Sequence, residues 1–254
     1  MKLHRKDLPR ELDSAYVLGV SDLHLGAPQF DEAYLVDLNK WVKATPNAYI
    51  LINGDLGNMA TKDSKSDVYE EKLTPHQQKK KLMEYFADVR DRVLGLTEGN
   101  HEHRIRLATS IDICDDLAQF FGCPYGQDGI LLHIRLGQDT RHGKTVSYII
   151  YATHGWSMAR TPGGKVNMTV SLQSHILADV YFTGHTHSKF IFEGKFLMPD
   201  EHNGQVIAKK QLFASTGAIL DYGGYAQKKG YPPGAKGIPR LRLDGKRKDV
   251  HGSI

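Results

Sequence analysis

Cysteine is scarce in this chain of 254 residues, and its two copies are not spaced as a metal or redox motif. Cys114 and Cys123 lie nine positions apart, and the chain has no Cys-x-x-Cys spacing. We therefore expect both to be reduced thiols of a cytoplasmic protein. The candidate metal ligands considered below are carboxylate, imidazole and amide groups, with no thiolate among them.

Long apolar runs are also absent. No stretch of 18 or more apolar residues occurs, which excludes a transmembrane helix, and residues 1–7 lack the apolar core of a secretory signal. With 40% hydrophobic residues the chain can still bury a sizeable core. Because we find neither an internal repeat nor a linker-like change of composition, we expect one domain over residues 1–254 that does not bind a membrane.

A complete phosphate-binding loop is the third absence. Gly163-Gly164-Lys165 has the residue types of such a loop without the Gly-x-x-x-x-Gly-Lys-Ser/Thr spacing, so we reject it. The net charge of +4 is mildly basic. It suits an anionic substrate but does not require nucleic acid.

The hydrophobic pattern predicts an α/β chain that becomes rich in strands towards its end. Strands are predicted over residues 15–20, 48–52, 93–96, 130–136, 146–153 and 179–183. Helices are predicted over 31–44, from a Thr74 N-cap to Val93, from a Ser110 N-cap to Phe121, and over 166–177. From Lys189 to Leu243 the alternation predicts a β-meander, and the tracts 61–72 and 221–237 are predicted loops.

Five of the predicted strands end in short clusters of Asp, Asn, His and Gly. The clusters are Asp22-Leu23-His24, Gly54-Asp55, Gly99-Asn100-His101-Glu102, His154-Gly155 and Gly184-His185-Thr186-His187. In open α/β sheets ligands bind beyond the carboxyl ends of the strands, and residues i and i+2 of an extended chain point the same way. Carboxylate, imidazole and amide groups suit Mn, Fe or Zn in a catalytic site. One cluster alone could be structural, but five at strand ends indicate a shared site.

In this order the motifs DLH, GD, GNHE, HG and GHTH resemble the calcineurin-like metallophosphoesterases, over roughly residues 15–220. Residues 154–165 are similar to the short, uncapped type found in phages and prophages, which would act in a host cytoplasm. Asn58 stands where many members carry an acid, at a position that is not a ligand. The resemblance implies a four-layer α/β/β/α sandwich of two mixed β-sheets flanked by helices, the metallophosphatase fold.

The resemblance also implies two divalent metal ions, with manganese favoured over iron, zinc or nickel. Asp22, His24 and His187 would hold the first ion, Asn100, His154 and His185 the second, and Asp55 would bridge them. The two carboxylates and a bridging hydroxide would leave the centre at about +1, which attracts a phosphate oxyanion.

The implied reaction is phosphoester hydrolysis by a metal-bridging hydroxide, without a phosphoenzyme, and with His101 as general acid. Glu102 is expected to orient His101 as a hydrogen-bond acceptor. Arg104, Arg160 and Lys165 are candidate substrate-binding residues, with ordinary surface charge as the equal alternative.

The substrate class stays open at this point. A phosphatase or phosphodiesterase is favoured, a nuclease or cyclic-nucleotide phosphodiesterase is the alternative, and a non-catalytic binding module is disfavoured by the complete ligand set. Residues 221–237 interleave tyrosines and lysines, which fits a polar loop better than a rim that stacks nucleotides.

Overall fold

The computed structural model describes residues 1–64 and 68–254. Its strands in chain order are β1 (Leu3–Asp7), β2 (Ser14–Val20), β3 (Ala48–Asn53), β4 (Val93–Thr97), β5 (Tyr125–Gly126), β6 (Ile130–Leu136), β7 (Val146–Ala152), β8 (Val180–Thr183), β9 (Phe190–Asp200), β10 (Gln205–Ser215), β11 (Arg240–Asp244) and β12 (Val250–Ser253). The α-helices are α1 (Glu32–Ala44), α2 (Pro75–Phe86), α3 (Asn100–Thr109), α4 (Ile113–Phe121), α5 (Pro162–Ser171) and α6 (Gly224–Lys228). Short 3₁₀ segments follow α2 and α5, at Ala87–Arg92 and Leu172–Ser174.

The strands form two mixed six-stranded sheets. The first sheet has the order β12-β11-β2-β3-β4-β5, and the second has the order β1-β6-β7-β8-β10-β9. Strands β2 to β5 are parallel, as are β7, β8 and β10. The parallel strands of both sheets thus end at defined edges, where connecting loops can carry a site.

Three apolar clusters hold the layers together. Val17 and Leu51 of the first sheet pack against Ile150 and Phe182 of the second, in the core between the sheets. The opposite face of the first sheet packs on helices α1, α2 and α4, and the outer face of the second sheet carries a smaller cluster next to α5. Successive side chains in a strand face opposite sides of the sheet, and both faces of β2 and β3 are covered. These two strands are therefore continuous apolar runs in the sequence, with side chains in both cores. The predicted four-layer α/β/β/α sandwich is confirmed.

Most predicted elements of the first half are present with small shifts at their ends. Helix α1 begins after Asp31, whose carboxylate accepts the Tyr34 N–H at 3.0 Å. Helix α2 begins with the predicted Thr74 N-cap, which forms a reciprocal capping box with Gln77. It ends at Phe86 rather than Val93, because the chain tightens into a 3₁₀ segment and Val93 opens β4.

The prediction that Ser110 caps a helix is wrong. Asn100, which follows β4, begins helix α3, and Ser110 ends that helix with φ 60°. The N-cap of α4 is Asp112, which accepts the Asp115 N–H at 3.0 Å. Two caps so close together are ambiguous in sequence, since Ser and Asp are both favoured N-cap residues.

The second half departs further from expectation. Helix α5 spans Pro162–Ser171 rather than 166–177, because Thr161 and Pro162 supply the start signal. Strands β9 and β10 form the expected hairpin, but β11 leaves the meander and pairs with β2 in the first sheet. The short helix α6 interrupts the predicted loop 221–237. Residues 65–67 of the predicted loop 61–72 lie outside the described residues.

The single-domain organisation stays a prediction. Among the residues that the structure describes, no helix combines the length and the apolar character needed to cross a membrane.

The corrected capping assignment can be tested by urea unfolding. Asp112→Ala should lower the free energy of unfolding by about 1 kcal/mol, since it removes the acceptor for an otherwise unpaired N–H. Ser110→Gly should change it by less than about 0.5 kcal/mol, because glycine accepts a positive φ without strain. A loss for Ser110→Gly equal to that for Asp112→Ala would contradict the assignment.

Candidate metal centre

The five polar clusters meet where parallel strands of both sheets end. Asp22 and His24 follow β2, Asp55 follows β3, and Asn100 begins α3 just after β4. From the second sheet, His154 follows β7, and the pair His185 and His187 follows β8. The first sheet thus supplies both carboxylates, the amide and the His24 imidazole, while the second supplies three imidazoles.

The backbone is strained at most of these positions. Seven described residues other than glycine have a positive φ, and five of them are predicted ligands. These five are Asp22, His24, Asp55, His185 and His187, with φ between 49° and 65°. Left-handed backbone at such residues costs on the order of 1 kcal/mol each and collects at functional sites. The expectation of extended i, i+2 geometry is therefore wrong, although each pair still converges.

The first group of ligand atoms contains Asp22, His24 and His187. Asp22 Oδ1 lies 3.3 Å from His187 Nε2 and 4.0 Å from His24 Nε2. The two imidazole nitrogens are 3.1 Å apart. These three atoms are close enough for one cation to contact all of them.

The second group contains Asn100, His154 and His185. Asn100 Oδ1 lies 3.1 Å from His154 Nε2 and 2.9 Å from His185 Nδ1, and these two nitrogens are 3.3 Å apart. Asp55 Oδ2 is 3.1 Å from His154 Nε2. Asp55 also falls in a cluster with His24 and His101, so it lies between the two groups.

Backbone carbonyls fix which imidazole nitrogen faces the site. His154 Nδ1 lies 2.7 Å from the Asn53 carbonyl oxygen, and His101 Nδ1 lies 2.6 Å from the Asn58 carbonyl oxygen. Because a carbonyl only accepts, each Nδ1 must carry a hydrogen, which leaves Nε2 to face the centre. Sequence reasoning missed the roles of the Asn53 and Asn58 carbonyls, because the identity of a residue does not reveal what its backbone oxygen accepts.

Asp22 is held by a dense set of donors. Ser21 Oγ donates to Asp22 Oδ2 at 2.5 Å, Thr216 Oγ1 donates to it at 3.3 Å, and the His185 N–H lies 3.1 Å from each carboxylate oxygen. Sequence analysis overlooked Ser21 and Thr216. Thr216 follows strand β10, so a polar residue at a sixth strand end was the available signal.

Glu102 does not orient His101, contrary to the sequence prediction. Its two carboxylate oxygens accept the backbone N–H groups of Asp55 and Gly57, each at 2.9 Å. The Asn58 carbonyl holds the His101 ring instead. Glu102 is completely enclosed, and it fixes the loop that presents Asp55.

Glycine at position 99 permits the close approach of two loops. A Cβ atom on Gly99 would lie 2.1 Å from the Asp55 backbone nitrogen and 2.2 Å from Asp55 Oδ1. Both distances are far below van der Waals contact, so a side chain there must displace Asp55. The glycine of the Gly-Asn-His motif therefore makes room for a carboxylate.

Charge and burial set the protonation of the cluster. Burial by itself would raise the pKa of both carboxyls, but His187 holds the pKa of Asp22 low and His154 does so for Asp55. Burial lowers the pKa of His154, yet the Asp55 carboxylate overrides it and raises that pKa to about 10. Burial lowers the pKa of His24 and of His185. Two ionised carboxylates together with imidazole nitrogens and an amide oxygen form a donor set that fits divalent cations.

The three candidate substrate-binding residues have different surroundings. Arg104, on α3, makes no hydrogen bond or ion pair within the described chain; burial lowers its pKa, and the Asp55 carboxylate opposes this. Lys165 Nζ donates to the Thr186 carbonyl at 3.0 Å and to Ser188 Oγ at 2.6 Å, so it holds the loop of His185 and His187. Arg160 is exposed and stacks over the Tyr231 ring, 5.2 Å from its centroid.

The two packed mixed sheets with outer helices have the architecture of the metallophosphatase fold. No family model matches the chain. It is 26% identical to the DNA polymerase II small subunit of Thermoplasma acidophilum, over 74% of this chain and 46% of that protein. The chain thus spans about half the length of the curated relative it matches.

Similar solved structures include one protein described as a calcineurin-like phosphoesterase and one described as Vps29. One is the calcineurin-like phosphoesterase YfkN from Bacillus subtilis, at 14% identity and TM-score 0.43, covering 94% of this chain and 90% of that one. Another is Vps29 from Chaetomium thermophilum, at 11% identity and TM-score 0.43, covering 94% and 95%.

The close approach at Gly99 gives a direct test of the centre. Gly99→Ala should weaken Mn²⁺ binding by about tenfold or more, because the added methyl displaces Asp55. The matched control is Gly163→Ala, where a Cβ meets no atom within 4 Å. Calorimetric titration of the metal-free proteins measures both. Equal affinities in the two variants would contradict the role of the close contact.

Proposed function

We propose that this chain is a metal-dependent phosphoesterase, acting at two divalent cations held where both sheets end. The observation that carries this proposal is the convergence of two adjoining ligand groups on one buried carboxylate, Asp55, with a further imidazole, His101, beside it. A structural metal site would instead be closed by four ligands and would need no such neighbour.

The proposed ligand assignment follows the two groups. Asp22, His24 and His187 would hold one cation, and Asn100, His154 and His185 the other, with Asp55 between them. Mixed oxygen and imidazole donors favour manganese, with iron, zinc or nickel as alternatives. When bound, such a pair supplies a hydroxide nucleophile at neutral pH and polarises the phosphoryl group.

His101 is the proposed general acid. Its Nδ1 hydrogen is engaged by the Asn58 carbonyl, and its Nε2 lies 3.8 Å from Asp55 Oδ2, at the centre without belonging to either group of three ligands. Burial lowers the pKa of His101, while the Asp55 carboxylate opposes this change. Because Nδ1 already carries a hydrogen, the ring holds an Nε2 proton only as the imidazolium, and that proton would pass to the leaving oxygen as the ester bond breaks.

Arg104 is the favoured substrate-binding residue among the three candidates. Its guanidinium is half-buried near Asp55, without a partner in the described chain, and its fork suits two phosphoryl oxygens. Lys165 is proposed to position the His185 loop rather than to bind substrate. Arg160 stays a candidate at the rim.

A nucleotide or nucleic-acid phosphodiester is the second candidate substrate. The loop 221–237 lies against the centre, since a Cβ on Gly234 would be 3.0 Å from the His187 carbonyl oxygen. It carries Tyr231, over which Arg160 stacks, and such aromatic and cationic groups suit nucleobases and phosphates. The relative named as a DNA polymerase subunit agrees with this candidate. A nuclease or cyclic-nucleotide phosphodiesterase would fit, in a cytoplasmic setting.

Metal removal and a substrate panel test the proposed activity. Chelation should abolish hydrolysis and Mn²⁺ should restore it, and Asp55→Asn should lower the restored rate at least ~100-fold because the shared ligand loses its charge. The panel contains p-nitrophenyl phosphate, bis-p-nitrophenyl phosphate, 2′,3′-cyclic nucleotides, single-stranded DNA and a phosphopeptide. The control is Asp37→Asn, an exposed carboxylate on α1. If the protein binds only trace metal and cleaves none of these, it is a binding module instead.

The acid role of His101 predicts a dependence on the leaving group. His101→Ala should retain bound metal but lose about 10²- to 10⁴-fold in kcat on an alkyl phosphoester. The loss should be much smaller on a p-nitrophenyl ester, whose leaving group needs no proton. His103→Ala, two positions along α3 and paired with Glu98, is the control. Equal losses on both ester types would exclude the acid role.

A further inference from the structure

Strand β9 is an exposed edge of the second sheet. It spans eleven residues, Phe190–Asp200, and within the described chain it pairs only with β10. An edge strand presents a row of N–H and C=O groups to solvent and can accept a further strand. No backbone or side-chain hydrogen bond from the described residues covers the outward edge between Phe190 and Pro199.

This edge is unusually apolar for a strand in contact with solvent. The exposed fractions are 47% for Phe192, 38% for Phe196 and 66% for Leu197. Phe192 and Phe196 lie on one face of the strand and Leu197 on the other, because side chains alternate. Both faces therefore carry apolar surface that an added strand would cover.

The strand sequence is self-complementary about Gly194. Consider two copies paired antiparallel with the two-fold axis at this glycine. Each residue before Gly194 in one copy then lies opposite the residue that is equally far after Gly194 in the other copy. The resulting pairs are Glu193 with Lys195, Phe192 with Phe196, Ile191 with Leu197, and Phe190 with Met198. Each charge meets its opposite, each apolar residue meets an apolar residue, and the glycines meet at the centre. Directly opposite pairs of these kinds stabilise antiparallel sheets.

The charges within one chain leave this pairing available. Lys195 lies opposite Lys210 of β10, an unfavourable like-charge position, and Lys195 has no ion pair among the described residues. Lys210 reaches diagonally to Glu193 Oε2 at 3.1 Å and to Asp249 Oδ1 at 3.3 Å. A second copy would bring its own Lys195 to Glu193, and would thereby give the unpaired ammonium a carboxylate.

We propose that two copies of this chain form a two-fold dimer through antiparallel pairing of their β9 strands, with Gly194 at the axis. The two second sheets then become one continuous sheet across the dimer. Such an interface is isologous, since the same strand is used by both copies, and it closes after two.

The dimer would extend both apolar layers of the second sheet. On the outer face, the Phe192 and Phe196 pairs would continue the layer of Phe213, which already contacts Phe192 with ring centroids 6.1 Å apart. On the inner face, Leu197 of the second copy would lie beside Ile191, which packs on the core between the sheets. Pairing with the axis one residue away, at Glu193 or at Lys195, would instead place two like charges opposite each other at the axis.

Sedimentation equilibrium of the full chain tests the dimer. The wild-type mass should rise with concentration towards twice 28.5 kDa. In the Lys195→Glu variant, position 195 of each copy places a carboxylate opposite Glu193 of the other copy. This repulsion should raise the dimer dissociation constant about tenfold or more. Lys144→Glu, an equal charge change in an exposed turn, should leave it unchanged.

Mixing and cross-linking keep the test independent of folding defects. Lys195→Glu mixed with Glu193→Lys should form a heterodimer, because both cross-strand pairs regain opposite charges. Under mild oxidation Gly194→Cys should form a disulfide-linked dimer, whereas Leu197→Cys, which faces Ile191, should not. The proposal is overturned by a wild type that stays monomeric at the highest soluble concentration, or by a dimer that Lys195→Glu leaves intact. The proposal is also overturned if Gly194→Cys gives no more disulfide-linked dimer than Leu197→Cys under the same oxidation.

Discussion

The burial of two carboxylates, Asp22 and Asp55, is the constraint on which the rest of this molecule depends. Neither carboxylate has more than 2% of its surface exposed, and a buried charge is very costly unless it is paired and hydrogen-bonded. The fold meets this cost with hydroxyls, backbone N–H groups and imidazoles drawn from both sheets. Strained backbone at five of the predicted ligands follows from the same demand, since the loops must aim several side chains at one point.

The surrounding polar contacts serve mainly to limit movement of these groups. Glu102 fixes the loop of Asp55, Lys165 fixes the loop of His185 and His187, and carbonyl oxygens fix the rings of His101 and His154. Each contact restrains a side chain before any ligand arrives. Preorganisation of this kind is what a site needs if it is to act on charge that develops during a reaction.

The sequence was informative where chemistry appears as residue type, and less so where it depends on geometry. Apolar runs predicted β2, β3 and β6 closely. The polar clusters that follow the strands in sequence identified side chains that do come together at the candidate metal centre. The sequence could not reveal that Asn100 starts a helix, that Asn58 contributes through its carbonyl, or that Glu102 holds Asp55 rather than His101. Strands β1, β5 and β12 were missed because they are short edge strands with few apolar residues. Ligand roles and metal identity remain predictions.

The division of the ligand set between the sheets has a mechanical consequence. The aspartates and the amide come from the first sheet, and three imidazoles come from the second. A cation held by ligands from both sheets would therefore act as a cross-link between the two halves of the sandwich. Cation binding would then resist sliding of one sheet over the other and add directly to the free energy of unfolding. Conversely, a substitution in the core between the sheets could shift one half of the ligand set against the other, and so alter the centre from a distance without touching any ligand.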